Sequence, residues 1–421
     1  MNNRKIKVAW ICCISNQQIR DNLHFYKWTP IAILRRYFGK IKFYDYAKWN
    51  TNAIKEFEKF NDIELHIISP HMYISHLHEF SINDVNYHII NSEDDSIWEI
   101  IRTKLLKCSR VSFNRNSKRI NNLIEKIDPD IVQMIGIENP NYGESGLLLS
   151  NKRPFIINLQ TLMNDPNFLN NYPITKKSYD YRSKIEKALI KKADYIGTKI
   201  EVFKNIIQEK IKSDARFIDM SLAVGEKISV KDTCKCFDFV YFAADIAKSV
   251  DHAIEAFALA KKKHSNITLL VVGGYNNSLM QQLKERMEEL KLGDEVKFIG
   301  KPNTHDEVIR EICKARFALL PLKIDLISST IRESMANGLP VITTITPMTP
   351  DLNIKRKSVL LSKTSDYQEM ADNMCLLLEN PDLASELIKN AIITTNERYS
   401  NEFFMNEWRE RYYEILKINH E

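Results

Sequence analysis

The chain has 421 residues, 44% of them hydrophobic and 27% charged, with a formal net charge of +6 and a pI near 8.7, the profile of a soluble protein long enough for two or perhaps three domains with cores of their own. Its seven cysteines are scattered, with a vicinal Cys12-Cys13 and a Cys234-x-Cys236 but no Cys-x-x-Cys, which argues against a disulfide framework or a metal site and for reduced, cytosolic thiols. No apolar run approaches the ~20 residues of a membrane span, and Met1-Asn-Asn-Arg-Lys-Ile-Lys-Val8 lacks the apolar segment of an export signal, so a cytoplasmic location is expected.

Lys191-Lys192 and Lys261-Lys262-Lys263 close amphipathic helices and read mostly as solvated helix ends. Their lesser reading is peripheral contact with anionic lipid at the inner face of the membrane. A charge this mild singles out no nucleic-acid partner.

In chain order, Lys5-Ile-Lys-Val-Ala-Trp-Ile-Cys-Cys-Ile14 reads as a first buried strand and residues 16–23 as the start of a helix. The stretch 28–49 is aromatic and basic, and is read as surface packing ahead of an acceptor-cleft lining. Residues 63–69 and 85–90 are expected strands, 96–127 a long helical region, and Asp128-Pro129 its stop before a strand that runs to Gly136. Residues 154–160 form the next strand. Its end, with Gln160 and Thr161, faces a ligand crevice if the sheet is doubly wound. His71, His76 and His78 lack the spacing of a helical metal pair. A helix over 182–193, a strand over 194–197 and a helix over 200–211 follow. Periodicity then fades, so a linker at 213–236 is expected to separate domains at 1–212 and 237–400.

The pattern restarts with strands at 237–242, 267–272 and 296–299 and helices at 250–263 and 278–292, an alternation that signals βαβ units. Gly273, Gly274 and Gly300 close two of these strands. They read either as tight turns or as places where backbone comes close to a nucleotide base or ribose. No Gly-x-Gly-x-x-Gly or P-loop occurs, so neither NAD binding nor ATP hydrolysis has motif support.

After a strand at 317–322 comes Lys323-Ile-Asp325-Leu-Ile-Ser328-Ser329-Thr330-Ile-Arg-Glu333-Ser-Met-Ala-Asn-Gly338-Leu-Pro340. It sets two carboxylates, Asp325 and Glu333, on either side of a strand-to-helix junction. Thr330 is expected to cap the helix with Glu333 three residues on, and Asn337-Gly338 with Pro340 to stop it. N–H groups at a helix start formed by Ser328, Ser329 and Thr330 suit a phosphate, and carboxylates there suit sugar hydroxyls. The plainer reading makes Glu333 a capping glutamate and Asp325 a solvated loop residue. A strand at 341–344, helices at 367–378 and 383–390, and a last helix at 401–418 complete the chain. Phe403, Phe404, Trp408, Tyr412 and Ile415 form an apolar face on that last helix which needs a partner surface.

Glu333-Ser-Met-Ala-Asn-Gly-Leu-Pro-Val341 resembles the Glu-Ala-Met-Ala-x-Gly-x-Pro-Val segment of the retaining glycosyltransferases of family 4. Lys248-Ser-Val-Asp251 with Ala253-Ile-Glu-Ala-Phe257 resembles that family's Lys-Gly-x-Asp…Ile-x-Ala-Phe pattern, and Asp128-Pro-Asp-Ile-Val132 and Ala193-Asp-Tyr-Ile196 are similar to elements of its first domain. The resemblance implies an α/β protein of GT-B fold, two Rossmann-like doubly wound domains facing across a cleft, with the terminal helix at 401–421 returning to the first domain. It implies a UDP-sugar or GDP-sugar donor on the carboxyl-terminal half, no metal and no other cofactor. It implies Lys248 at the donor diphosphate, Asp325 and Glu333 as catalytic-centre carboxylates, and Gly273, Gly274, Gly300, Ser328, Ser329, Thr330 and Glu333 around the nucleotide sugar. Retaining transfer to a glycan or lipid-linked acceptor, in surface polysaccharide or glycoconjugate assembly, is the activity implied. The chain departs from the pattern in four places: Asp325 and Leu326-Ile327-Ser328 replace Glu and Gly-Phe-Gly, Ser15-Asn16-Gln17-Gln18 replaces a Gly-rich turn, Gln160-Thr161 replaces a histidine, and Ala243 stands where an arginine belongs. A GT-B sugar-nucleotide epimerase and a GT-B binding protein without catalysis are the rival readings.

Overall fold

The computed structural model describes residues 4–25, 45–93, 112–166, 168, 174–223, 234–243, 249–323, 328–346 and 348–417. Most of the aromatic-basic stretch and the first part of the expected long helix, together with Lys248 and Asp325, lie outside the described residues. The chain divides into two compact units, Met1–Ala223 with Phe404–Glu421, and Val224–Phe403.

The first unit is built on β1 (Ile6–Ile11), β2 (Ile63–His71), β3 (His78–Ile82), β4 (Val85–Asn91), β5 (Ile131–Ile135), β6 (Phe155–Asn158), β7 (Tyr195–Gly197) and β8 (Arg216–Ile218), ordered β3-β4-β2-β1-β5-β6-β7-β8. All pairs are parallel except β3 with β4. β5 and β6 are buried along their whole length and β1 at every residue but Lys7, the burial expected of inner strands in a parallel sheet. The β3–β4 hairpin turns through Asn83 and Asp84, both at positive φ (49° and 64°), the pairing a two-residue type I′ turn requires. Neither β3 nor β8 stood out from the sequence; β8 forms the edge of the sheet inside the stretch read as linker.

The helix Asn401–Leu416 lays Trp408 and Tyr412, both fully buried, on this sheet. Trp408 meets Trp10 edge to face at 5.3 Å between centroids, while Trp10 Nε1 donates to Tyr412 Oη at 2.9 Å. Tyr412 in turn donates to Gln133, and Gln133 to the Asn158 side-chain oxygen, so one buried chain of hydrogen bonds links the terminal helix to β1, β5 and β6. Arg409 reaches Asp62 at 2.8 Å from the same helix.

The second unit is a six-stranded, all-parallel sheet of β9 (Phe237–Phe242), β10 (Leu269–Val272), β11 (Val296–Phe298), β12 (Ala315–Leu320), β13 (Val341–Thr344) and β14 (Leu360–Ser362), ordered β11-β10-β9-β12-β13-β14. Numbered within the unit this is 3-2-1-4-5-6, the Rossmann order, whose ligands sit outside the carboxyl ends of the strands where the order reverses. Phe239, Tyr241, Phe257, Leu269 and Leu319 anchor its core.

Candidate active site

The carboxyl ends of β10 and β11 meet at glycines. Gly273 N–H donates to Gly300 O at 2.9 Å. A Cβ on Gly273 would stand 2.2 Å from the Ala243 carbonyl oxygen, so this glycine is required by the approach of β9. Gly300 differs: its φ is +72° and nothing lies within 4 Å of where a Cβ would project. Space at that strand end is open. Gly274 faces the Lys301 side chain, 3.1 Å from a built Cβ.

The helix that follows β12 runs Ser329–Ala336, and its cap is Ser328, whose Oγ accepts from Thr330 N at 3.2 Å. This corrects the sequence expectation of Thr330 as cap. Thr330 lies inside the first turn and pairs its own hydroxyl with that of Ser328. Both side chains satisfy the capping preference, and the one that precedes the first helical turn holds the position. As a result Glu333 is the fifth residue of the helix, too far along to close a capping box. The stop is as expected: Leu339 N–H bonds Ser334 O at 3.0 Å and Gly338 N–H bonds Met335 O at 3.2 Å, with Gly338 at φ +71°, a Schellman arrangement.

Glu333 is buried at 4% exposure, and His305 Nε2, from the first turn of the helix His305–Ile312, lies 3.3 Å from its Oε1. Beside it, burial pushes the Arg332 guanidinium down to about 10, with the Glu333 and Tyr399 charges acting the other way. A buried carboxylate flanked by an imidazole and a guanidinium is suited to receive ribose or sugar hydroxyls. Just past β12, Lys323 Nζ contacts Asp251 Oδ2 at 3.0 Å. Asp251 belongs to the first turn of the helix Val250–Lys261, preceded by Ser249 at φ +55°. The Lys-Gly-x-Asp pattern has glycine where Ser249 stands, and a left-handed conformation is the physical reason for one. His305 and Lys323 are not legible in the sequence, because their partners Glu333 and Asp251 are distant in the chain and no local periodicity records such contacts; nothing in the sequence marks the burial of the Arg332 guanidinium.

In the first unit Gln160 follows β6. Its amide donates to Glu138 Oε1 at 3.1 Å and accepts from Trp49 Nε1 at 2.8 Å, the orientation that satisfies both neighbours. Burial raises the Glu138 carboxyl. Nearby Glu186 accepts from Met163 N, Asn164 N and Asn164 Nδ2 at 2.6–2.9 Å, yet burial still pushes it up to about 7. His78 accepts from His24 N at 3.0 Å and stacks on His76, while His71 Nδ1 bonds the Met72 carbonyl. Among the described residues no three His, Cys, Asp or Glu side chains are grouped to hold a metal ion. Among the same residues no helix is long and apolar enough to cross a membrane.

Residues 238–394 match the family model of glycosyl transferases group 1. An uncharacterized glycosyltransferase of Methanocaldococcus jannaschii is 23% identical over 256 residues, which are 58% of this chain and 62% of that protein; the chain spans less than two thirds of this relative. Sucrose-phosphate synthase from Thermosynechococcus elongatus superposes with a TM-score of 0.69 at 15% identity, over 98% of this chain and 100% of the other. HepE of Anabaena, solved with UDP and glucose, superposes with a TM-score of 0.64 at 12% identity, over 97% and 100%.

Proposed function

We propose, on the match of residues 238–394 to the glycosyl transferases group 1 model and the GT-B fold of the chain, that this protein transfers a sugar from a nucleotide diphosphate sugar to a glycan or lipid-linked acceptor, with retention at the anomeric carbon and without a metal ion. The observation that carries the reading is Glu333: a buried carboxylate at the carboxyl-terminal side of a Rossmann sheet whose position frees it from helix capping. In this reading Glu333 accepts hydrogen bonds from the donor ribose, the start of the helix Ser329–Ala336 faces donor oxygens, and Gly300 leaves room for the nucleotide. Lys248 and Asp325 take the diphosphate and the sugar, respectively. As the bond from the anomeric carbon to phosphate breaks, charge grows on the leaving diphosphate, and ammonium and helix N–H groups aimed there lower the barrier.

HepE was solved with UDP and glucose, which makes a UDP-sugar the first donor to test. Surface polysaccharide or glycoconjugate assembly at the cytoplasmic face of a membrane is the setting that suits such acceptors.

The test is calorimetric titration of UDP and GDP into wild type and Glu333→Gln beside a thermal melt. The expected result is an affinity loss of ~1.5–3 kcal/mol, the scale of a charge-assisted hydrogen bond, with the melt nearly unchanged. Unaltered affinity would remove Glu333 from the donor site. Transfer that persists in EDTA is expected as well; transfer lost in EDTA and restored by Mg²⁺ or Mn²⁺ would contradict the metal-free reading.

A further inference from the structure

We propose that Lys323 is a diphosphate-binding cation of the carboxyl-terminal unit, parked on Asp251 until a nucleotide arrives; the proposal rests on the donor-site reading above. β9 and β12 are the neighbouring strands at which the strand order reverses, so the crevice beyond their carboxyl ends is where a ligand of this sheet binds. Lys323 lies just past the end of β12, and the helix Val250–Lys261 opens on the β9 side. The contact of 3.0 Å between Lys323 Nζ and Asp251 Oδ2 therefore spans the reversal point.

That pair is built to be exchanged. The side chains are 34% and 50% exposed, and a solvated Lys–Asp pair is weakly held. A diphosphate brings more negative charge than one carboxylate and competes for the same ammonium. Among the described residues Asp251 has one other basic neighbour, His252, at 3.9 Å, and burial lowers that imidazole toward its neutral form. Ala243, at the end of β9, contributes no charge; its carbonyl accepts from Tyr275 Oη at 3.0 Å.

A second feature points to a ligand at the same place. Ser249 heads the helix Val250–Lys261 but makes no side-chain cap bond, and its hydroxyl is fully buried without a hydrogen-bond partner. A buried hydroxyl left unsatisfied calls for an explanation. Beside a helix N-terminus, an anion supplies one, since first-turn N–H groups lack partners within the helix and the dipole favours negative charge.

The experiment compares a nucleoside with its diphosphate on the full chain. UDP and uridine, and likewise GDP and guanosine, are titrated into wild type, Lys323→Met, Lys323→Arg and Asp251→Asn, with ligand-observed NMR for the weak nucleosides. Lys323→Met should weaken the diphosphate about tenfold and leave the nucleoside unchanged, since only the former meets the ammonium. Lys323→Arg should recover most of the loss, and Asp251→Asn should hold or tighten diphosphate binding. Lys323→Met binding the diphosphate as wild type does, or losing nucleoside and diphosphate alike, would overturn the assignment while leaving the donor site standing. A wild type that binds neither UDP nor GDP would instead overturn the donor-site reading and this assignment with it.

Discussion

The two sheets share an arrangement about their first strands, β4-β2-β1-β5-β6-β7 in one unit and β11-β10-β9-β12-β13-β14 in the other, yet their carboxyl ends are finished differently. In the amino-terminal unit the ends of β1, β5 and β6 are filled: Cys12, Ile14, Ile137 and Tyr142 are buried there, and Glu138, Gln160 and Trp49 close on one another. In the carboxyl-terminal unit β10 runs into Gly273 and the segment after β11 ends at Gly300, beside which space is open. Topology decides where a ligand could sit. In the proposed reading the nucleotide takes the second place, beside Gly300.

The largest effect should come from the filled unit. Trp408→Ala removes a fully buried ring packed on Trp10 and Phe57 and should cost ~3–5 kcal/mol in urea unfolding, with UDP affinity of the folded protein kept. A loss under ~1 kcal/mol would mean that the terminal helix contributes little to this unit.

Next come the glycines, which separate steric need from open space. Gly273→Ala drives a methyl into the Ala243 carbonyl and should lower stability by ~1–3 kcal/mol, as overpacking does. Gly300→Ala meets no atom and carries only the cost of its positive φ, ~1–2 kcal/mol. Equal melting temperatures for wild type and Gly273→Ala would refute the close approach of β9 and β10.

How much of this could be read beforehand follows from range. The alternation of apolar strands with helices, and the Gly338-Leu-Pro340 stop, depend on neighbours within a few residues and were legible. The short strands β8 and β14 carry too few residues to show a period. β3 alternates its burial but follows a histidine-rich turn that masks it. Ser328 and Thr330 compete for one cap, and sequence spacing with Glu333 favours the wrong one. Glu333 with His305 and Lys323 with Asp251 are contacts between separate elements, set by strand order and invisible to periodicity.

A buried carboxyl in the amino-terminal unit gives that unit a pH signature of comparable or smaller size. Glu186 is pushed from the usual glutamate value of 4.5 up to about 7, by burial first. The folded state thus favours the protonated form, so its contribution is fully present below about 4.5 and is lost as pH rises through about 7. Chemical unfolding at a series of pH values should show a decline on the order of 1–3 kcal/mol across that window, and Glu186→Gln should flatten it. An unchanged slope in the variant would assign the titration elsewhere.

The smallest effect is expected at Ser249, held at φ +55° with a buried, unpartnered hydroxyl. Ser249→Gly should raise stability by up to ~1 kcal/mol, relief of the left-handed backbone being partly offset by chain entropy. A lower melting temperature would show that the hydroxyl has a stabilising role in the unliganded protein.

The contrast between filled and open strand ends is tested most directly by hydrogen exchange of the full chain with and without saturating UDP, and separately GDP. The account expects one of the two to slow exchange in residues 269–274, 296–300 and 328–336, leaving the strand ends of β1, β5 and β6 unaffected. Protection confined to the amino-terminal unit, or none with either nucleotide at millimolar concentration, would contradict it.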